Sequence, residues 1–148
     1  MKNLFLILLL FATNSFSQNI EYAGFVLADS VYMDIHLELS HINDSVYGIT
    51  TMNKNSPIES KSNIRGVFNV KLNTYLIQEV NVINNESFND SITFCLMDMT
   101  LKKNKKKLSG TFVGNYSAGG VCANGIIEMG EVNFLAERIE KVEKKLDK

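Results

Sequence analysis

The most regular feature of the chain is an alternation of apolar and polar side chains with a period of two. Between Tyr32 and Leu39, the side chains of Met33, Ile35, Leu37 and Leu39 share one face, and Tyr32, Asp34, His36 and Glu38 share the other. This pattern predicts a strand with one buried and one wet face. Asn43-Asp44-Ser45 supplies turn chemistry, and Val46 to Met52 reads as the returning strand. The same reading makes Ile20 to Ala28 the first strand and Ser62 to Val70 the fourth. Thr74 to Ile83 is the fifth, Ser91 to Leu101 the sixth, Lys107 to Tyr116 the seventh and Val121 to Met129 the eighth. Between them lie a polar loop over Asn53 to Ser60 with the only proline, Pro57, a turn-rich loop over Asn84 to Asp90 and a lysine-rich tip over Lys102 to Lys106. The intervals leave no room for crossover helices, so the pairing is expected to be antiparallel and sequential.

Glycines recur inside these strands beside bulky neighbours, at Gly24, Gly48, Gly66 and Gly110. Glycine weakens a flat strand, so its recurrence points to places where a sheet bends or coils on itself. Eight strands is also the size at which a small barrel closes around packed side chains or one small ligand. The expected fold is therefore all-β, an eight-stranded antiparallel up-and-down barrel over residues 18–130, with a two-sheet sandwich as the alternative.

Both ends of the chain depart from this pattern. Lys2 precedes an uncharged run from Leu4 to Ala12, then small and polar residues up to Ser17. That is the layout of a secretory signal peptide over residues 1–17, cleaved before Gln18. The run is shorter than the roughly 20 residues of a membrane span. At the other end, residues 131–148 take a helical period, with Leu135, Ile139, Val142 and Leu146 on one stripe and charges elsewhere. Either this amphipathic helix lays its stripe on the barrel or frays beyond it, or it joins a second copy in a short coiled coil.

Composition narrows the compartment and the partners. The formal charge is −1, and removing Lys2 with the first seventeen residues leaves −2. A nearly neutral domain lacks the field that nucleic-acid binding needs. Cys95 and Cys122 are the only cysteines, and in the oxidising space of a Gram-negative periplasm or outside the cell they are expected to bond, two buried free thiols being the alternative. Count and spacing exclude a CxxC redox motif and a zinc site built on cysteines.

Candidate chemistry is sparse. Asp34, His36 and Glu38 share a strand face, but the returning strand offers Thr50, Thr51 and Asn53, none of them a metal ligand of the usual kind. His41 stands at a strand end without a neighbouring nucleophile, so no hydrolytic elbow forms and no enzyme activity or cofactor is expected. Glu79 interrupts the face of Tyr75 and Ile77, with Arg65 on the preceding strand; the two could orient a ligand inside a barrel, or both point outward. Lys102, Lys103, Lys105, Lys106 and Lys107 read as a solvated hairpin tip that discourages edge pairing.

Together, Tyr22-x-Gly24, Val46-Tyr47-Gly48, Arg65-Gly66, Phe94-Cys95, Leu108-Ser109-Gly110 and Cys122-x-x-Gly125 resemble uncharacterised secreted bacterial lipocalin-like domains of the calycin type. The Gly-x-Trp of the first lipocalin strand is absent, because the chain has no tryptophan. The resemblance implies the barrel and, by analogy, binding of a small apolar ligand. Ile35, Leu37, Phe68 and Phe112, with Glu79 and Arg65, are the residues expected to line that site. The alternative is a filled barrel acting as a structural or protein-interaction domain, its terminal helix meeting a partner.

Overall fold

A computed structural model of the protein describes residues 19–85 and 95–146. The signal segment, Phe94 and the start of the sixth expected strand lie outside the described residues. Eight strands are present: β1 (Asn19–Ala28), β2 (Val31–Ile42), β3 (Ser45–Met52), β4 (Ser60–Asn69), β5 (Thr74–Asn85), β6 (Cys95–Asn104), β7 (Lys107–Tyr116) and β8 (Val121–Glu131). Each pairs antiparallel with its sequence neighbour, and β8 returns to pair with β1, so the sheet is a closed barrel without a free edge strand. The sandwich alternative is thereby excluded. Among the described residues one helix is present, α1 (Val132–Leu146), and it follows β8 without a break.

The turns are built by residues that tolerate left-handed backbone. Asp29 and Ser30 take positive φ between β1 and β2, Asn43 does so between β2 and β3, and Asn73 before β5. Asn and Asp reach this region at low cost because their short side chains bond locally to the backbone. At the β6–β7 tip the strand runs on to Asn104, so the turn is only Lys105-Lys106, with Lys105 at positive φ.

Closure explains the glycines. A Cβ on Gly24 would run into the Glu128 carbonyl on β8, and one on Gly48 into the Glu38 carbonyl on β2. At both places the neighbouring backbone occupies the space of a side chain, which is how the sheet coils tightly enough to meet itself.

The interior is apolar and packed. Tyr22, Val26, Ile35, Leu37, Leu39, Val46, Leu101 and Ile127 are at most 1 % exposed, and Ile64, Tyr75, Ile77, Met97, Met99, Phe112 and Met129 fill the remaining layers. These are the positions that alternation assigns inward, which is why the strands could be read from the sequence at all.

The helix is the exception to this packing. None of its residues is buried. Its first turn is held by Leu135 against Gly130, and by Lys106 and Arg138 at 5.6 and 5.8 Å from the Phe134 ring. Beyond that turn Ile139, Val142 and Leu146 are 59, 56 and 80 % exposed. Of the two ways expected for the helix to meet the barrel, docking of the whole stripe does not occur: only Leu135 reaches the barrel, and the rest of the stripe runs beyond it. Among the described residues no helix is long and apolar enough to cross a membrane.

Candidate functional site

The barrel has two unlike ends. One carries the Cys95–Cys122 disulfide, which joins β6 to β8 across β7 at Gly114. The other carries the hairpin tips 43–44, 70–73 and 105–106 and the start of α1.

Near the disulfide end, polar groups enter the core. Glu79, 5 % exposed, sits inward below Tyr75 and Ile77 on β5. Its Oε1 accepts a short hydrogen bond from the Thr50 hydroxyl and its Oε2 accepts one from the Met97 amide at 2.9 Å. Burial pushes its carboxyl above the ordinary range, opposed by hydrogen bonds from Thr50, the Met97 amide and Ser62. The cause of this arrangement is visible in the ladder. Pairing of β5 with β6 extends from Thr74–Lys102 only to Gln78–Asp98, and β4–β5 shifts register between Asn63 and Ile64. Where the β5–β6 pairing stops, the Glu79 side chain takes the place of a ladder acceptor for Met97.

Arg65 does not join it. It pairs in register with Gln78, so it faces outward while Glu79, paired with Ile64, faces inward. The expectation that the two residues share a face, inside or outside, is corrected on that parity. Both border a cleft of about 230 Å3 on the outer wall with Asp98 and Tyr116. That is below the roughly 300 Å3 of ordinary ligand sites. Ile35, Leu37 and Phe112 stand in the packed core, Phe68 is partly buried against it, and none of the four lines that cleft. A wider dent of about 480 Å3 lies over Tyr47, Val67 and Leu76 on the outer face of β3, β4 and β5.

The helix end holds the larger and more enclosed space. A cleft of about 600 Å3 is lined by Asn19, Ile20 and Glu21 of β1, Glu38 and Ser40 of β2, Gly48 and Ile49 of β3, Lys103, Glu131, and Val132 and Asn133 of α1. Beneath this end four strands converge on an aromatic cluster. The His41 Nε2 and Tyr75 hydroxyl are 3.1 Å apart, and the Phe68 and Tyr75 rings lie 4.5 Å apart, with His41 edge-on to both. Burial and the nearby Lys103 ammonium push the His41 imidazole below its usual value. Tyr22 is fully buried beside Tyr75 and Glu131, and burial first, then these two neighbours, raises its phenol. Its hydroxyl approaches that of Tyr75 but makes no aligned hydrogen bond.

The Asp34-His36-Glu38 face resolves into three separate jobs. Asp34 Oδ2 accepts from the Lys54 amide at 3.0 Å and pins the β3–β4 loop. His36 Nδ1 lies 3.9 Å from Glu21, whose carboxylate also meets Lys54 at 3.7 Å. Glu38 lines the cleft. Among the described residues no cluster of His, Cys, Asp and Glu could hold a metal ion.

Lys103 and Glu131 escaped the sequence reading. Lys103 was submerged in the lysine run, yet it has the parity of Met99 and Leu101 and so points to the mouth; Glu131 has the parity of Ile127 and Met129. Compared with protein families, curated proteins and solved structures, the chain shows no match to any of them.

Proposed function

We propose that this domain is a non-enzymatic binding module that holds a small molecule at the helix-side mouth of the barrel. The observation that carries the reading is the cleft of about 600 Å3, within the range of roughly 300 to 1,000 Å3 typical of small-molecule sites. An apolar ligand deep inside the barrel fits less well, because Ile35, Leu37 and Phe112 already fill that space with one another. A mouth ligand meets carboxylates, an ammonium and amides instead, and is accordingly polar or amphipathic. The secreted or periplasmic setting fits the disulfide.

Native mass spectrometry of residues 18–148, recovered from exported material, tests this reading. A retained non-protein mass that is lost on substituting Asn133→Trp, an exposed position of the cleft wall where a bulky side chain would crowd the space, is the expected result. A bare mass under every gentle condition, with no small molecule shifting the resonances of Ile20, Lys103 or Val132, argues against it.

The exposed stripe of Ile139, Val142 and Leu146 favours a second reading, self-association through α1. With Leu135 they follow heptad spacing, but two heptads are marginal in water, so the association should be weak and concentration-dependent. Deleting residues 132–148 should leave a monomer by sedimentation. The melting temperature should move by no more than roughly 4 °C, the equivalent of about 1 kcal/mol in a domain of this size. A full-length chain that is monomeric at every concentration removes the second reading.

A further inference from the structure

Resting on the mouth as the binding site, we infer that its ligand is a zwitterion, bearing an ammonium and a carboxylate on one small molecule. The ground is the charge left unpaired around a single cleft. Of its four ionisable walls, Glu21 is already engaged by Lys54 at 3.7 Å. Glu38, Glu131 and Lys103 form no ion pair among the described residues. Opposite charges that line one space without meeting each other leave both signs to be answered by whatever enters.

The two signs are also distributed over different elements. Glu131 comes from the end of β8 with the inward parity of Met129, Glu38 borders the cleft from the exposed face of β2, and they supply the negative share. Lys103 comes from β6, and the first turn of α1, through Val132 and Asn133, brings backbone amides to the same cleft. That first turn holds no acidic side chain of its own, and Glu131 stands immediately before it.

The alternatives fail on charge. An anion that satisfied Lys103 and the helix amides would bring Glu38 and Glu131 a third negative charge. A cation that satisfied the carboxylates would leave the Lys103 ammonium unanswered. A neutral apolar molecule would desolvate three charged groups and give nothing back. A molecule such as a free amino acid or a dipeptide answers all of them, and the volume holds it.

The test is calorimetric titration of residues 18–148 with a matched set of probes: leucine and Leu-Leu as zwitterions, leucinamide as the cation and N-acetyl-leucine as the anion. Amide resonances of Ile20, Lys103, Val132 and Asn133 are followed in parallel. The expected result is at least tenfold tighter binding of a zwitterion than of either singly charged probe. Lys103→Gln should then erase the advantage over leucinamide, and Glu131→Gln or Glu38→Gln the advantage over N-acetyl-leucine. A singly charged probe that binds as tightly at these same resonances overturns the zwitterion and leaves the mouth as the site. No perturbation of these resonances by any probe at millimolar concentration overturns both.

Discussion

Glu79→Ala is expected to lower the stability of the domain by about 3 to 5 kcal/mol, the combined effect of a cavity and stranded hydrogen-bond donors. The carboxylate accepts from Thr50 on β3 and from the Met97 amide on β6, and Ser62 on β4 also bonds to it. Truncation leaves the Met97 N–H facing an apolar interior, at the point where β5 and β6 cease to pair. Glu79→Gln keeps the volume and one carbonyl acceptor, so its cost at acid pH should be nearer 1 kcal/mol. Urea unfolding of the three proteins decides the matter. An alanine variant within 1 kcal/mol of the parent would mean that water replaces the carboxylate and that the cluster does not hold the strands.

The same residue gives a pH dependence with a definite sign. Burial holds the Glu79 carboxyl above its ordinary value of 4.5 in the folded state. A raised acid stabilises the fold through its protonated form. That contribution is fully present below the unfolded value and is lost as pH rises through the folded one. Glutamine has no proton to release. The stability of the parent relative to Glu79→Gln should therefore fall as pH climbs from about 4.5 and level off above the folded value. A difference that is flat with pH, or rises, would show that the hydrogen bonds from Thr50, Met97 and Ser62 outweigh desolvation.

This carboxylate also shows what a sequence does and does not disclose. Glu79 stands two residues from Ile77 and four from Tyr75, so its inward parity was readable. Its partners were not, because Thr50 and Met97 are 29 and 18 residues away and meet it only through the closed topology. The strands were legible because Met33 to Leu39 and their counterparts alternate over a packed interior, and the bends because Gly24 and Gly48 lie against neighbouring carbonyls. The mouth was not. His41, Phe68, Tyr75 and Tyr22 come from β2, β4, β5 and β1, and no local pattern joins them. Lys103 was masked by its neighbours: in a run of lysines, composition speaks louder than parity. The helix stripe was read correctly as a stripe, but periodicity carries no information on what faces it, and past Leu135 the barrel does not.

Replacing both cysteines by alanine is expected to lower stability by about 3.5 kcal/mol, from the chain-entropy cost of opening a loop of this length, the two residues being 27 apart. Gly114 bears on the outcome, since a Cβ there would strike the sulfurs of both Cys95 and Cys122. The bond therefore rests directly on the β7 backbone, and its removal also leaves a void over that glycine, which works in the same direction. The loss should be confined to the disulfide end. The aromatic cluster of His41, Phe68 and Tyr75 and the cleft around Lys103 lie at the other end, so their resonances should be unmoved at low denaturant. Equilibrium urea curves for the oxidised parent and the double variant measure the first part, and backbone shifts of Ile20, Lys103 and Val132 the second. A loss below 1 kcal/mol would mean that closure of β8 on β1 already fixes this end and that the bond adds little to it. Altered shifts at the mouth would mean that the two ends are mechanically coupled through β6 and β8, and the disulfide would then also govern the shape of the binding cleft.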